Sequence, residues 1–199
     1  MPLKPAGLLF DMDGVLVDSR ESWYRTLADL IRERFGRALT MEAFLDRYWA
    51  RDLRDIFAEL GLAIDPDSFC RDVYSRFLDA LTAGEGAAET LERLRLYPKA
   101  IITNTPAVCT RLILRQFRLE RHFRAVLTGG EVENGKPHPE IVYKGCAALG
   151  IRPEEAVLIG DSPLDVRAGR AAGCPVVGLG TQGDYTIRRL PELLNLIEC

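Results

Sequence analysis

The sequence predicts an α/β fold, a parallel sheet flanked by helices, with a small all-helical unit inserted after the first strand. Three observations carry this. Five short apolar runs each end in polar or glycine-rich residues. Helix-length segments separate the later runs, and residues 20–83 contain no convincing strand. Strand, helix and strand in repetition build a parallel sheet through right-handed crossovers.

The runs are GLLFD (7–11), KAIITN (99–104), RAVLTGG (124–130), EAVLIGD (155–161) and CPVVGLG (174–180). Several are continuously apolar rather than alternating, as expected of strands covered on both faces. Helices are predicted over 106–119, 139–149 and 163–172. Within the insertion, Trp23, Leu27, Leu30 and Ile31 recur at helical spacing, as do Phe69, Val73, Phe77 and Leu81. Thr40 with Glu42, and Asp65 with Pro66, read as helix starts. Four helices follow, near 20–35, 41–49, 52–60 and 66–82, and GEGA (84–87) reads as the hinge back into the core.

At 199 residues the chain can bury roughly 70% of its unfolded surface. Lys and Arg total 26 against 29 Asp and Glu, a net charge of −3, which leaves no basic footprint for nucleic acid or an anionic membrane. No apolar run approaches the ~18 residues of a membrane span. The opening MPLKPAGLLF, with two prolines, does not read as a signal peptide. The five cysteines, Cys70, Cys109, Cys146, Cys174 and Cys199, are odd in number and widely spaced, without a C-x-x-C pair. They are expected to be free thiols rather than disulfides or zinc ligands, which fits a reducing cytoplasm.

Four short stretches carry candidate chemistry. Asp11 and Asp13 lie two apart after the first apolar run, so an extended backbone sends both carboxylates to one face. A plain Asp/Gly turn is the alternative. A calcium loop counted from Asp11 fails, because its fifth, sixth and twelfth positions are Val15, Leu16 and Ser22. In GDSPLDVRAG (160–169) a strand again ends in an acid, Asp161, with Asp165 four residues on. Helix capping accounts for these residues individually. It does not account for two strands of one sheet both ending in carboxylates, whereas Mg²⁺ held by carboxylates and substrate phosphate does. Thr103 and Asn104 end the strand of IITNT (101–105), where hydroxyl, amide and backbone N–H groups suit an anion, although T-N-T-P is also a common turn. Lys136 sits between Gly135 and Pro137 in NGKPHPE (134–140); alone it reads as a surface charge, and His138 as a turn residue. Together these groups suit phosphoryl transfer, in which a cation and Mg²⁺ neutralise the transferring group and an aspartate can act as nucleophile.

Residues 8–19, 101–104, 135–140 and 159–173 resemble, in order and spacing, the four motifs of the haloacid dehalogenase superfamily. The nearest resemblance is to its phosphoglycolate phosphatase and β-phosphoglucomutase-like members. It implies a Rossmann-like core over 1–19 and 84–199, and a helical C1 cap over 20–83. Asp11 would be the nucleophile and a Mg²⁺ ligand. Asp13 would be general acid and then base, with its carbonyl on the metal. Thr103, Asn104 and Gly14 would meet the phosphoryl group, and Lys136 would pair with Asp11 and the phosphate. Asp161 would bind the metal directly, and Asp165 through water or by supporting Lys136. Asp13 argues against dehalogenating and phosphonate-cleaving members, and the insertion holds no lysine of the kind the latter use. In capped members the loop here spanning YWARDLRD (48–55) governs substrate choice, so Arg51 and Arg54 are candidates for an anionic substrate group, or a solvated helix face.

The activity expected is therefore Mg²⁺-dependent hydrolysis of a small phosphorylated metabolite by a monomer or homodimer. An intramolecular sugar phosphomutase and a non-catalytic phospho-ligand-binding regulator are the alternatives.

Overall fold

The computed structural model describes residues 3–198. Its main sheet contains β1 (Gly7–Phe10), β4 (Lys99–Ile102), β5 (Ala125–Leu127), β6 (Ala156–Gly160), β7 (Val176–Leu179) and β8 (Tyr185–Ile187). The order is β5-β4-β1-β6-β7-β8, and every neighbouring pair is parallel. The chain builds outward from β1 through β4 to β5, then returns to β6 on the other side. Such a reversal leaves a crevice at the carboxyl ends of the central strands. Phe10 is level with Ile101 and Ile159, so Asp11, Thr103 and Asp161 emerge together at that edge.

Alternation along β1 divides the core. Leu8 and Phe10 pack on one face with Ile101, Val157 and Ile159, while Leu9 packs on the other with Ile102, Leu158 and Val176. The second face is covered by α7 (Glu140–Leu149) and α8 (Pro163–Ala172), and the first by α5 (Ala87–Arg93) and α6 (Ala107–Phe117). A short α9 (Leu193–Leu196) follows β8. Gly150 and Gly173, both left-handed, end α7 and α8.

Between β1 and β4 lie α1 (Arg20–Phe35), α2 (Met41–Arg47), α3 (Leu53–Glu59) and α4 (Pro66–Asp72). Side-chain caps start three of them: Thr40 accepts from the Ala43 N–H, Asp52 from that of Arg54 and Asp65 from that of Ser68. The helix expected over 66–82 is instead broken. After α4 the chain tightens into a 3₁₀ turn over Tyr74–Ala80, with Phe77 outside helical geometry. The break lets Leu81 turn inward and feeds β3 (Thr82–Ala83), which pairs antiparallel with β2 (Val17–Asp18). Entry and exit of the insertion are thus joined, and Gly84 donates to the Leu16 carbonyl at 2.9 Å. Among the described residues no helix is long and apolar enough to cross a membrane.

The cysteine expectation needs correction. Cys70 on α4 and Cys109 on α6 form a disulfide, with Cα atoms 5.5 Å apart. Spacing could not reveal it, because the pair meets only when α4 packs on α6. The bridge therefore gives no support to a reducing compartment, where such bonds are rare. Cys146 and Cys174 are buried free thiols, pushed by burial up to about 11 and about 12, and Cys199 lies outside the described residues.

The bridge closes a 39-residue separation, so replacing Cys70 and Cys109 by Ser should cost about 2–4 kcal/mol. Urea unfolding of the double variant measures the loss. Peptide mapping after unfolding and alkylation without reductant should label Cys146 and Cys174 but not Cys70 or Cys109. Labelling of the latter two would show the bridge absent.

Candidate active site

Asp11 and Asp161 directly follow β1 and β6, Asp13 comes two residues after Asp11, and Asp165 lies in the first turn of α8. Asp11 is 3% exposed, Asp13 7% and Asp165 0%. Lys136 reaches this cluster from the loop before α7. Its Nζ lies 2.9 Å from Asp11 Oδ1 and 2.6 Å from Asp165 Oδ1, and donates to the Ile102 carbonyl at 3.1 Å. Asp165 accepts on its other oxygen from the Ser162 N–H and hydroxyl, the capping box that starts α8. Capping and positioning of Lys136 are thus the two halves of one carboxylate.

Asp13 is held differently. Its carboxylate accepts from the Thr105 hydroxyl at 2.7 Å, from the Trp23 indole N–H at 3.1 Å and from the Ser19 hydroxyl. Trp23 and Ser19 belong to the start of α1, so the helical insertion itself aims this acid. Thr103 is buried beside Asp11 and accepts from the Thr105 N–H at 3.2 Å. Asn104 joins loops: its amide donates to the Ala50 and Lys136 carbonyls and accepts from the Lys136 N–H at 2.7 Å. Gly14 has φ +78°, and a Cβ there would come within 2.0 Å of Asp161 Oδ2. Only glycine lets the two acid-bearing loops approach so closely.

The insertion roofs the site. Trp23, Phe44, Trp49, Ala50 and Ile56 line a cavity with Asp11, Asp13, Thr103 and Lys136. Its volume is about 30 Å³, room for about two waters. Arg51 lines this cavity, but its guanidinium pairs with Glu59 at 2.7 Å. Arg54 is not brought into it: the side chain pairs with buried Asp52 at 2.6 Å and donates to the Val132 carbonyl at 2.8 Å, tying the insertion to the core. The residues sequence reasoning missed are Ser19, Trp23 and Thr105 on Asp13, and Arg20 on Asp161. Only Thr105 left a signal, its period-two spacing from Thr103; Trp23 reads as one more apolar position on a helix.

Oxygens of Asp11, Asp161 and Asp165 lie within 4.8 Å of one another. Burial, then the Asp165 charge, push Asp11 well above the usual carboxylate range, against the pull of Lys136. Burial and Asp165 likewise raise Asp161 to about 7. Burial alone would depress the Lys136 ammonium, but Asp11 and Asp165 outweigh it and hold it above its ordinary value. Asp161 Oδ1 is buried without a hydrogen-bond partner. Hard oxygen donors, excess negative charge and an unpartnered buried carboxylate oxygen fit a divalent cation.

The family model for haloacid dehalogenase-like hydrolases matches residues 8–179. The chain belongs to that family. It is an enzyme of the family, a hydrolase of phosphatase type. A phosphoglycolate phosphatase of Photorhabdus laumondii is 32% identical over 188 residues, covering 86% of this chain and 79% of that one. A subfamily IA hydrolase of Geobacter sulfurreducens superposes with TM-score 0.76 at 29% identity, over 98% of this chain and 100% of that one. A β-phosphoglucomutase of Clostridium difficile shares the fold, with TM-score 0.80 at 18% identity over 95% of this chain and 93% of that one. The six-stranded parallel sheet and its flanking helices are thus the Rossmann-like core of the haloacid dehalogenase fold.

Proposed function

We propose that the chain is a Mg²⁺-dependent phosphatase of a small phosphorylated metabolite, working through an aspartyl-phosphate on Asp11. The observation that carries this reading is the buried Lys136–Asp11 pair beside an Asp13 held independently, all facing one cavity under the insertion. Lys136 keeps Asp11 in one orientation, so that its free lone pairs face the phosphorus. The Asp11 oxygen bonds to phosphorus as the ester oxygen leaves, and Asp13 gives that oxygen its proton. Asp13 then takes a proton from water, whose oxygen attacks the same phosphorus and returns Asp11 as carboxylate. Thr103 and Lys136 hold the phosphoryl oxygens through both transfers. Asp11, Asp161, Asp165 and the Asp13 carbonyl would hold Mg²⁺, which supplies positive charge to the phosphoryl group.

The insertion acts as a cap. Substrate enters when the cap lifts and reacts when it closes. The small cavity and the likeness to a phosphoglycolate phosphatase support a compact substrate with one further anionic group. Arg51 reaches that group by exchanging Glu59 for it, whereas Arg54 braces the cap against the core.

The test is phosphate release from phosphoglycolate, sugar phosphates and nucleotides, with and without Mg²⁺. Mg²⁺-dependent release favouring the smallest anionic esters is expected. Isomerisation without release would point to a mutase, and binding without turnover to a regulator; either overturns the phosphatase reading.

A further inference from the structure

Arg20, the first residue of α1, sits where the proposed cation site meets solvent. Its Nη2 lies 3.1 Å from Asp161 Oδ2, and its guanidinium stands 5.4 Å from the centre of the Trp49 ring. Asp161 is 4% exposed at the side chain, whereas Arg20 is 41% exposed and borders an outer cleft shared with Gly14 and Asp18. A second acceptor is close: Asp18 Oδ1 lies 3.6 Å from Nη1, itself well exposed. Asp161 meanwhile has an independent hold, since the Trp49 indole N–H reaches the same Oδ2 at 3.4 Å.

We propose that Arg20 is a positioning residue that stands in for the metal: its guanidinium neutralises Asp161 in the metal-free enzyme and must swing away, toward Asp18, when a divalent cation binds. This rests on the reading that Asp11, Asp161 and Asp165 hold that cation. A guanidinium on the ligand carboxylate and a dication beside it repel strongly in a buried site. Arg20 therefore weakens metal binding, and its exposure toward the outer cleft gives it somewhere to go. It also explains why Asp161, though crowded by Asp165, is tolerated without metal. Because Trp49 keeps Asp161 oriented, removing Arg20 removes a competing charge without freeing the ligand.

The experiment is isothermal titration of Mg²⁺ alone into substrate-free protein, repeated by tryptophan fluorescence. Trp23 and Trp49 are the chain's two tryptophans, and both donate to site carboxylates. Arg20→Ala and Arg20→Gln are each expected to bind Mg²⁺ about tenfold more tightly than wild type, a coupling of ordinary size. Arg25→Ala removes the same charge from an exposed pair with Glu21 on α1 and should match wild type. Unchanged or weaker binding in both Arg20 variants overturns the inference, as does a Gln variant that binds like wild type. Tightening of Arg25→Ala to the same degree would reduce the effect to net charge and overturn it too. Wild type that binds no Mg²⁺, or Asp161→Asn that binds as well as wild type, removes the metal reading itself.

Discussion

Asp11→Asn is expected to lose turnover by a factor on the order of 10⁴ while melting no lower than wild type in chelator. The two halves of this result have one origin. Asp11 is buried and crowded by Asp165, Asp161 and Asp13, so its charged form is held at a cost that only Lys136 offsets. Asparagine keeps the shape and the acceptor for the Met12 N–H, at 2.7 Å in wild type. Lys136 retains its 2.6 Å pair with Asp165. What is lost is the anionic oxygen proposed to attack phosphorus, for which no neighbour substitutes. Residues that serve chemistry at the expense of stability are common at active sites. Steady-state phosphate release and a thermal melt decide the matter; retention of more than a few percent of wild-type turnover would sink the nucleophile role.

That much was legible because Asp11 announces itself locally. It closes an apolar run, and so does Asp161; the parallel register then sets both at one sheet edge without further information. Four of the five strands readable from sequence, β1, β4, β6 and β7, carry apolar runs buried almost throughout; β5 is half-buried, and its apolar run alone made it legible. β8 escaped because Tyr185–Ile187 is a three-residue edge strand whose first two residues are exposed. β2 and β3 escaped for a related reason: two-residue strands exist only because the insertion brings their ends together. Tertiary packing, not pattern, makes such elements.

The same division runs through the site. Motif acids and Lys136 were legible; their keepers were not. Thr105, Ser19 and Trp23 meet Asp13 from two different parts of the chain, and Trp23 spends its apolar surface on the core while its N–H serves the acid. Arg54 was legible only as two alternatives, a contact for an anionic substrate group or a member of a helix face with Arg–Asp pairs, and the structure pairs it with the neighbouring buried Asp52. Cys70 and Cys109 needed the packing of α4 on α6, which no spacing encodes.

Lys136→Met should be the most damaging single change to stability, about 3–5 kcal/mol without metal, and should also abolish turnover. Methionine fills most of the volume of the lysine stem, so the deficit is one of charge rather than packing. Asp11 and Asp165, both buried, lose the ammonium that lies within 2.9 Å of each, and the Ile102 carbonyl loses a donor. Chemical denaturation in chelator gives the loss. The added substitution Asp165→Asn separates charge from geometry. The amide oxygen it introduces can still accept from Ser162 and keep the start of α8, yet one of the uncompensated carboxylates is gone. The double variant is therefore expected to regain at least about 1 kcal/mol over Lys136→Met, with turnover still absent. A double variant no more stable than the single one would mean that Lys136 supports the fold through packing. Recovery of stability without activity would instead separate the balancing of buried carboxylates by this lysine from the phosphoryl contact proposed for it.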